Sequence, residues 1–213
     1  MQTIICSHGF GVRLDARGMF TEIQQALPND QLTMFDYNDF DAEGNVVVLP
    51  LDEQAERLQH FIDRSPKGSI LLCHSQGSII AGLVNLSRIS KVILLAPPVK
   101  MSMERVIEKM MDKQGSVLNL QGVSRLPRSD GSITLVPRAY VESLRSRDPL
   151  DIYAKVAADK PTTIIRALDD EVLGLTNVDK VEKADVIDIH ADHNFTGTSR
   201  HELIDILRSV ISS

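Results

Sequence analysis

With 213 residues, the chain is long enough for one domain that buries its own core without the help of disulfides or a metal ion. Its composition, 43% hydrophobic and 24% charged residues, is typical of a globular protein. A formal net charge of −6 argues against nucleic acid as a partner, because phosphate binding needs a basic face.

The sequence shows no sign of export or membrane insertion. The first residues lack a basic segment followed by a long apolar run, and no stretch reaches the ~18 apolar residues typical of a membrane span. We therefore expect a cytoplasmic protein without a membrane span. Cys6 and Cys73 fit that compartment as reduced, buried side chains near the ends of two strands.

Short apolar runs alternate with segments of helical spacing along most of the chain. This alternation favours an α/β fold, with a mostly parallel sheet of about six strands covered by helices on both faces. The predicted strands are residues 2–7, 31–35, 69–73, 91–95, 162–166 and 185–189. The predicted helices are residues 15–27, 51–64, 77–88 and 200–211.

The first predicted strand ends at a turn that contains two glycines, His8-Gly9-Phe10-Gly11. Glycines let the backbone turn so that the N–H of Phe10 can point into a site. Such an N–H group is what one half of an oxyanion hole requires. A plain glycine turn after a strand is the simpler interpretation, and this motif alone favours it.

The third predicted strand stops at Ser75, after which the apolar pattern resumes as a helix. A serine at a sharp strand-to-helix corner exposes its hydroxyl, as in the nucleophile elbow Gly-x-Ser-x-Gly. Cys73 stands where that pattern has its first glycine, and Gly77 supplies the second. The alternative is an ordinary turn in which Ser75 caps the helix, since serine is a favoured N-cap residue. The segment favours the elbow, and hence covalent hydrolysis.

A serine nucleophile needs a base, and an acid that orients the base. Candidates follow the two last predicted strands. Asp169 and Asp170 come just after strand 162–166, and His193 comes just after strand 185–189. Open parallel sheets place their active sites at the carboxyl ends of the strands, where these side chains would lie. Either aspartate could be the acid on this argument.

With these motifs in this order, nearly the whole chain resembles the α/β-hydrolase family, in which a serine, an acid and a histidine follow one another. The resemblance implies that Ser75 is the nucleophile and His193 the base. It implies that the acid is Asp170 rather than Asp169, because Asp170 lies three residues past the small residue that ends a late strand. The two oxyanion N–H groups would belong to Phe10 and Gln76.

The resemblance also implies a three-layer α/β-hydrolase fold with a trimmed sheet. The family usually begins with an extra antiparallel hairpin, whereas this chain starts directly on the strand before His8. The other two late histidines fit the base less well. His190 would still point along the end of its strand, and His201 opens the last helix.

The segment from 97 to 160 interrupts the alternation and is expected to form a cap over the site. Residues 101–111 have helical spacing, and Asp130-Gly131 is a strong hairpin signal between residues 122–128 and 132–136. This division leaves 1–96 and 161–213 as the core. The segment resembles the lid of bacterial cinnamoyl and feruloyl esterases, with helices and a β-hairpin inserted between two strands of the sheet.

Arginines make this cap locally basic in an acidic chain. Arg125, Arg128 and Arg138 could face the mouth of the pocket and bind a carboxylate or phosphate of the substrate. A solvated charged surface is at least as good an interpretation. The methionines of the cap are expected to pack or to line an acyl pocket, and they are Met101, Met103, Met110 and Met111.

Metal and cofactor sites are not expected. Asp36, Asn38, Asp39 and Asp41 lack the spacing of a calcium-binding loop and are interpreted as an ordinary loop. The six histidines show no metal-binding spacing.

The function expected from these residues is hydrolysis of a small-molecule carboxylic ester by a serine hydrolase. Ser75 would attack the acyl carbon, His193 would take its proton, and Asp170 would hold the tautomer of the histidine. An amidase, peptidase or thioesterase with the same triad remains open, because one fold serves many leaving groups. A noncatalytic binding protein is the other alternative, against which the complete triad argues. The sequence does not indicate the oligomeric state.

Overall fold

The computed structural model describes residues 1–100, 114–128, 131–145 and 147–212. The strands are β1 (Thr3–Ser7), β2 (Gln31–Met34), β3 (Asp39–Phe40), β4 (Val46–Val47), β5 (Ser69–His74), β6 (Ile89–Leu95), β7 (Val123–Pro127), β8 (Ile133–Pro137), β9 (Thr162–Ala167) and β10 (Ala184–Ile189). The helices are α1 (Met19–Ala26), α2 (Leu51–Arg64), α3 (Gly77–Ala81), α4 (Arg138–Ser143), α5 (Pro149–Asp159) and α6 (Thr198–Ser212), and a 3-10 helix spans Val178–Lys180.

Six strands form the main sheet, in the order β10-β9-β6-β5-β1-β2. Every neighbouring pair in this sheet runs parallel. The predicted six-stranded parallel sheet is therefore confirmed. All of the six strands end at the same edge as their neighbours, so the residues that follow β1, β5, β9 and β10 are brought close together.

Helices cover both faces of the main sheet, which gives three layers. Successive side chains of a strand point to opposite faces, so Leu71 packs into one apolar cluster and Leu72 into the other. On the first face the cluster includes residues of α2, α3, α4 and α5, among them Leu58, Ile80, Tyr140 and Tyr153. On the second face it includes residues of α1 and α6, among them Phe20, Ile23, Leu203 and Leu207.

Two helices are shorter than the sequence predicts. Helix α1 begins at Met19 rather than residue 15, because Ala16 and Arg17 adopt left-handed backbone conformations, with φ of 48° and 62°. Helix α3 ends at Ala81 rather than residue 88. Beyond it, the backbone N–H of Asn85 donates to the side chain of Gln59 on α2 at 2.6 Å, so this N–H group bonds outside α3 rather than within a continued helix.

A second, four-stranded sheet has the order β3-β4-β8-β7. Strands β7 and β8 form the antiparallel hairpin that the sequence predicts, although its tip, residues 129 and 130, lies outside the described residues. Strand β4 runs parallel to β8 and antiparallel to β3. The interpretation of the aspartate-rich segment as a plain loop is wrong at Asp39, which begins β3.

This sheet joins two distant parts of the chain, because residues 46–47 of β4 pair with residues 134–135 of β8. The expectation that residues 97–160 alone would form the cap did not include β3 and β4. The helix predicted at residues 101–111 lies outside the described residues. None of the helices in the described part of the chain is long and apolar enough to cross a membrane.

Helix α3 packs so closely against β1 that residue 77 has no room for a side chain. A Cβ atom on Gly77 would lie 2.2 Å from the carbonyl oxygen of Ser7 and 2.8 Å from that of His8. Neither oxygen can move without moving the backbone at the end of β1. We expect Gly77→Ala to lower the free energy of unfolding by about 1–3 kcal/mol in urea titrations, because it overpacks this contact.

Ser78→Ala is the matched control for this substitution. The side chain of Ser78 is fully buried at the next helical position, and its hydroxyl has no hydrogen-bond partner among the described residues. Its removal should leave the free energy of unfolding nearly unchanged, because no hydrogen bond is lost. If Gly77→Ala and Ser78→Ala lowered the free energy of unfolding equally, the contact at Gly77 would not be tight.

Candidate active site

Ser75 occupies the corner between β5 and α3. Its backbone has a φ of 52°, a left-handed conformation that is costly for a residue other than glycine. The N–H of Ser75 donates to the carbonyl of Leu95 on the neighbouring strand at 2.9 Å, and the N–H of Ser78 donates to the carbonyl of Ser75 at 3.0 Å. These bonds hold the turn in the strained geometry of a nucleophile elbow.

The structure brings Ser75, His193 and Asp170 into one hydrogen-bonded series. The Nε2 atom of His193 lies 3.0 Å from the hydroxyl oxygen of Ser75, and its Nδ1 atom lies 2.7 Å from Oδ2 of Asp170. An ionised carboxylate only accepts hydrogen bonds, so Nδ1 carries the proton of the neutral ring. Nε2 is then the atom that can accept the hydroxyl proton of Ser75.

Asp170 is buried and held by three donors. Its Oδ1 atom accepts the backbone N–H groups of Val172 at 2.8 Å and Leu173 at 2.6 Å. Burial by itself raises the pKa of Asp170, but the hydrogen bond with His193 and the two backbone donors outweigh it and hold the pKa below its usual value. The carboxylate is therefore ionised and fixed in direction.

The structure does not bring Asp169 to His193. The Asp169 carboxylate is exposed and lies 3.2 Å from Nδ1 of His190, which is also exposed. The two neighbouring aspartates thus point in different directions from the turn after β9. The contact with His193 belongs to Asp170, the residue that the resemblance favoured.

The loop that carries His193 is anchored by side chains that the sequence analysis did not single out. Nε2–H of His74 donates to the carbonyl of His193 at 2.9 Å, and Glu171 accepts the N–H of His193 at 3.0 Å. The buried guanidinium of Arg200 donates to the carbonyls of Asn194 at 2.7 Å and Phe195 at 2.9 Å. His74 could have been suspected from its position beside Ser75, whereas Glu171 and Arg200 carry no local signal.

The turn after β1 is also fixed by buried side chains. Nδ1–H of His8 donates to the carbonyl of Gly9 at 3.0 Å, and the ring of His8 stacks on that of Tyr37 with centroids 3.9 Å apart. The hydroxyl of Tyr37 donates to the carbonyl of His8. Because a peptide unit is planar, fixing the Gly9 carbonyl also fixes the direction of the Phe10 N–H.

Gln76, the residue after Ser75, belongs to a buried polar network. Its side-chain amide donates to Oε1 of Gln54 at 2.8 Å and accepts a hydrogen bond from the hydroxyl of Tyr140. Gln54 in turn donates to the carbonyl of Leu49. This network links α2 and α4 beside the Ser75 turn, and nothing in the local sequence indicated it.

A cavity of about 580 Å³ opens over these residues. Ser75 and His193 line it together with both predicted oxyanion donors, Phe10 and Gln76. Most of the remaining lining is apolar and includes Val12, Ile79, Pro98, Val99, Leu126, Leu144, Val172, Leu173 and Leu175. Among the described residues, no three His, Cys, Asp or Glu side chains are grouped so that they could hold a metal ion.

Of the three predicted cap arginines, Arg128 lines the cavity. Arg125 lies on β7 between the buried residues Ser124 and Leu126, so the alternation of the strand turns it to the exposed face. The side chain of Arg138 is exposed and bonds to Glu142 at 2.7 Å. The structure therefore does not bring Arg125 or Arg138 to the cavity.

No protein-family model matches the chain, and no curated protein matches its sequence. Solved structures match it over nearly its whole length. The esterase domain of a Rhodothermus marinus protein is 15% identical, with a TM-score of 0.66 over 98% of this chain and 85% of that one. Hydrolases from Pseudomonas aeruginosa and Oleispira antarctica are each 15% identical over 100% of this chain, with TM-scores of 0.70 and 0.69 over 90% and 92% of theirs.

These similarities show that the chain has the α/β-hydrolase fold, as the sequence predicts. The names of the three proteins say esterase or hydrolase and specify no acyl group. The resemblance of the cap to that of cinnamoyl and feruloyl esterases therefore stays an expectation.

Two buried histidines at the site predict how stability depends on pH. Burial lowers the pKa of His8 to about 4, and burial together with the neighbouring His193 lowers the pKa of His74 to about 3. In the unfolded chain both regain a pKa of about 6.5. Between these values the unfolded state binds more protons, so the free energy of unfolding falls as the pH is lowered from about 6.5, by about 1.4 kcal/mol per pH unit for each histidine.

Urea unfolding between about pH 7 and 5 measures this dependence, since Asp170 changes its charge only at lower pH. His74→Asn should reduce the slope by about one proton. Replacing the exposed His60 on α2 by glutamine is the matched control, because it removes a histidine without removing a buried one. The same slope in both variants would contradict the assignment of the effect to buried neutral histidines.

Proposed function

We propose that the protein is a serine hydrolase that cleaves a small-molecule carboxylic ester through an acyl-enzyme intermediate. The observation that carries the proposal is the hydrogen-bonded series from Ser75 through His193 to the buried Asp170, with distances of 3.0 and 2.7 Å. A nucleophile, a base and an orienting acid are what this reaction needs. The cavity of about 580 Å³ is within the size range of small-molecule sites.

In the first half of the reaction, the hydroxyl oxygen of Ser75 attacks the acyl carbon while Nε2 of His193 takes its proton. The C=O bond of the ester becomes a C–O⁻ bond, and Asp170 stabilises the imidazolium that forms. Backbone N–H groups of Phe10 and Gln76 would hold the oxyanion, each typically worth roughly 2.7–4 kcal/mol to the transition state. His193 then gives its proton to the departing alcohol, which leaves the acyl group on Ser75.

In the second half, His193 accepts a proton from water and the resulting hydroxide attacks the acyl carbon. Collapse of this second tetrahedral intermediate breaks the bond to Ser75, whose oxygen takes back the proton from His193. The products are a carboxylic acid and the free enzyme. The apolar lining of the cavity, with Leu126 and Leu144 among its residues, would hold the hydrocarbon part of the substrate.

The cytoplasm is the compartment that we propose for this reaction. Cys6 and Cys73 are both buried free thiols on the adjacent strands β1 and β5. Cysteines that remain unpaired are usual in a reducing compartment. No nucleic-acid or membrane partner enters the proposed reaction.

Turnover of a matched substrate panel tests the proposed function. A p-nitrophenyl ester, the corresponding thioester and the corresponding p-nitroanilide share one acyl group and differ in the leaving group. We expect the ester to have the highest kcat/KM and Ser75→Ala to abolish its turnover, with the unfolding temperature retained. A higher kcat/KM for the thioester or anilide would move the assignment to a thioesterase or amidase, and turnover that persists in Ser75→Ala would reject Ser75 as the nucleophile.

The two neighbouring aspartates provide a second test. In Asp170→Asn the side-chain oxygen can still accept the backbone donors, so its amide N–H group would face Nδ1 of His193 and force the proton onto Nε2. The ring could then no longer accept the Ser75 proton, and we expect kcat to fall by roughly 10⁴. Asp169→Asn is the matched control and should retain kcat close to that of the wild type, because Asp169 contacts the exposed His190. The reverse ranking would reject Asp170 as the acid.

A further inference from the structure

The second sheet contacts the turn after β1 through a relay of two hydrogen bonds. Nε–H of Arg128 donates to the hydroxyl oxygen of Thr134 at 2.8 Å, and that hydroxyl donates to the carbonyl of Gly11 at 3.0 Å. The Nη2 atom of Arg128 lies 3.4 Å from the carbonyl oxygen of Phe10. Thr134 is completely buried, so its hydroxyl cannot exchange these bonds for water.

There is no spare room between the hairpin and this turn. A Cβ atom on Gly11, whose φ is 59°, would lie 2.4 Å from Nη2 of Arg128 and 2.6 Å from Cγ2 of Thr134. The guanidinium carbon of Arg128 lies 5.4 Å from the centre of the Phe10 ring, over its face. The ring of Tyr140 lies 5.2 Å from the same ring on the cap side. The turn is therefore packed against the cap through both its backbone and its side chain.

These contacts complete the restraint on the peptide that carries the Phe10 N–H. The core fixes one side of the residue, because His8 holds the Gly9 carbonyl. Arg128 and Thr134 fix the other side, because they hold the carbonyls of Phe10 and Gly11. With the peptide units before and after it restrained, the φ and ψ angles of Phe10 are set from both directions.

We propose that Thr134 and Arg128 are positioning residues that fix the Phe10 amide as an oxyanion donor, so that the hairpin takes part in catalysis as well as in covering the site. This inference rests on the proposed function. It departs from the expectation that Arg128 binds a charged group of the substrate. It also assigns a role to Thr134, which touches neither Ser75 nor His193 in the hydrogen bonds of the structure.

A positioning role has a kinetic signature. An oxyanion donor acts mainly on the charge that develops in the transition state, so its misalignment lowers kcat and leaves KM little changed. A tetrahedral adduct that carries a real oxyanion should lose affinity in parallel. A trifluoromethyl ketone forms such an adduct with the serine hydroxyl, so its inhibition constant measures the oxyanion site separately from turnover.

Thr134→Val is the decisive variant, because it keeps the shape of the side chain and removes the hydroxyl that relays Arg128 to Gly11. We expect kcat on a neutral ester to fall between about tenfold and a hundredfold, with KM changed less than about twofold. The inhibition constant of the trifluoromethyl ketone should rise by the same factor as kcat/KM falls. Thr134→Ser restores a hydroxyl and should recover most of kcat.

Thr162→Val is the matched control. Thr162 is a buried threonine on β9 whose hydroxyl donates to the carbonyl of Lys160 at 2.8 Å, away from the cavity lining. Its substitution removes a comparable buried hydrogen bond and should leave kcat and the inhibition constant unchanged. A kcat for Thr134→Val within twofold of that for Thr162→Val would overturn the positioning role of Thr134.

Arg128→Met tests the other half of the relay and decides the matter if Thr134→Val does not fold. We expect kcat to fall by the same factor for a neutral ester and for its carboxylate-bearing analogue. An unchanged kcat with a raised KM for the anionic ester alone would overturn the proposal and make Arg128 a substrate-binding residue. Failure of the proposed function is distinguishable from either outcome, because the wild type would then turn over no ester.

Discussion

The position of Ser75 depends on how closely helix α3 approaches strand β1. Gly77 lies directly against the carbonyl oxygens of Ser7 and His8, so the corner between β5 and α3 can be tight enough to hold Ser75 at a φ of 52°. The same contact places the turn after β1 beside Ser75. Since β9 and β10 end at the same edge of the parallel sheet, their following residues meet the serine there. Asp170 and His193 are those residues.

The second sheet extends this arrangement into the segment that the sequence predicts to be a cap. Leu126 of β7 and Arg128, which directly follows β7, line the cavity, and Thr134 of β8 bonds to the turn after β1. The pairing of β4 with β8 ties the hairpin to a segment near the amino terminus. Preorganised donors are effective because they do not have to reorient as charge develops. A cap that restrains the Phe10 turn would therefore influence both the choice of substrate and the rate of its conversion.

The sequence predicted the strands of the main sheet and the candidate catalytic residues that follow them closely. Apolar runs identify the parallel strands because they are buried on both faces, and Ser75, Asp170 and His193 come within four residues of a strand end. What the sequence could not reveal depends on contacts between distant residues. Strands β3 and β4 have two residues each, too few for a period, and exist through pairing with β8. The exposure of Arg125 and the contacts of His74 and Thr134 likewise follow from packing.

Covalent labelling shows whether Ser75 is a nucleophile that His193 activates, on which the whole proposed reaction depends. Folded, monodisperse protein should react with a fluorophosphonate in a one-to-one ratio, and peptide mass spectrometry should place the adduct on Ser75. His193→Ala should react far more slowly, because the hydroxyl then lacks its base. Folded protein that takes no label, or that takes it on a residue other than Ser75, would contradict the account.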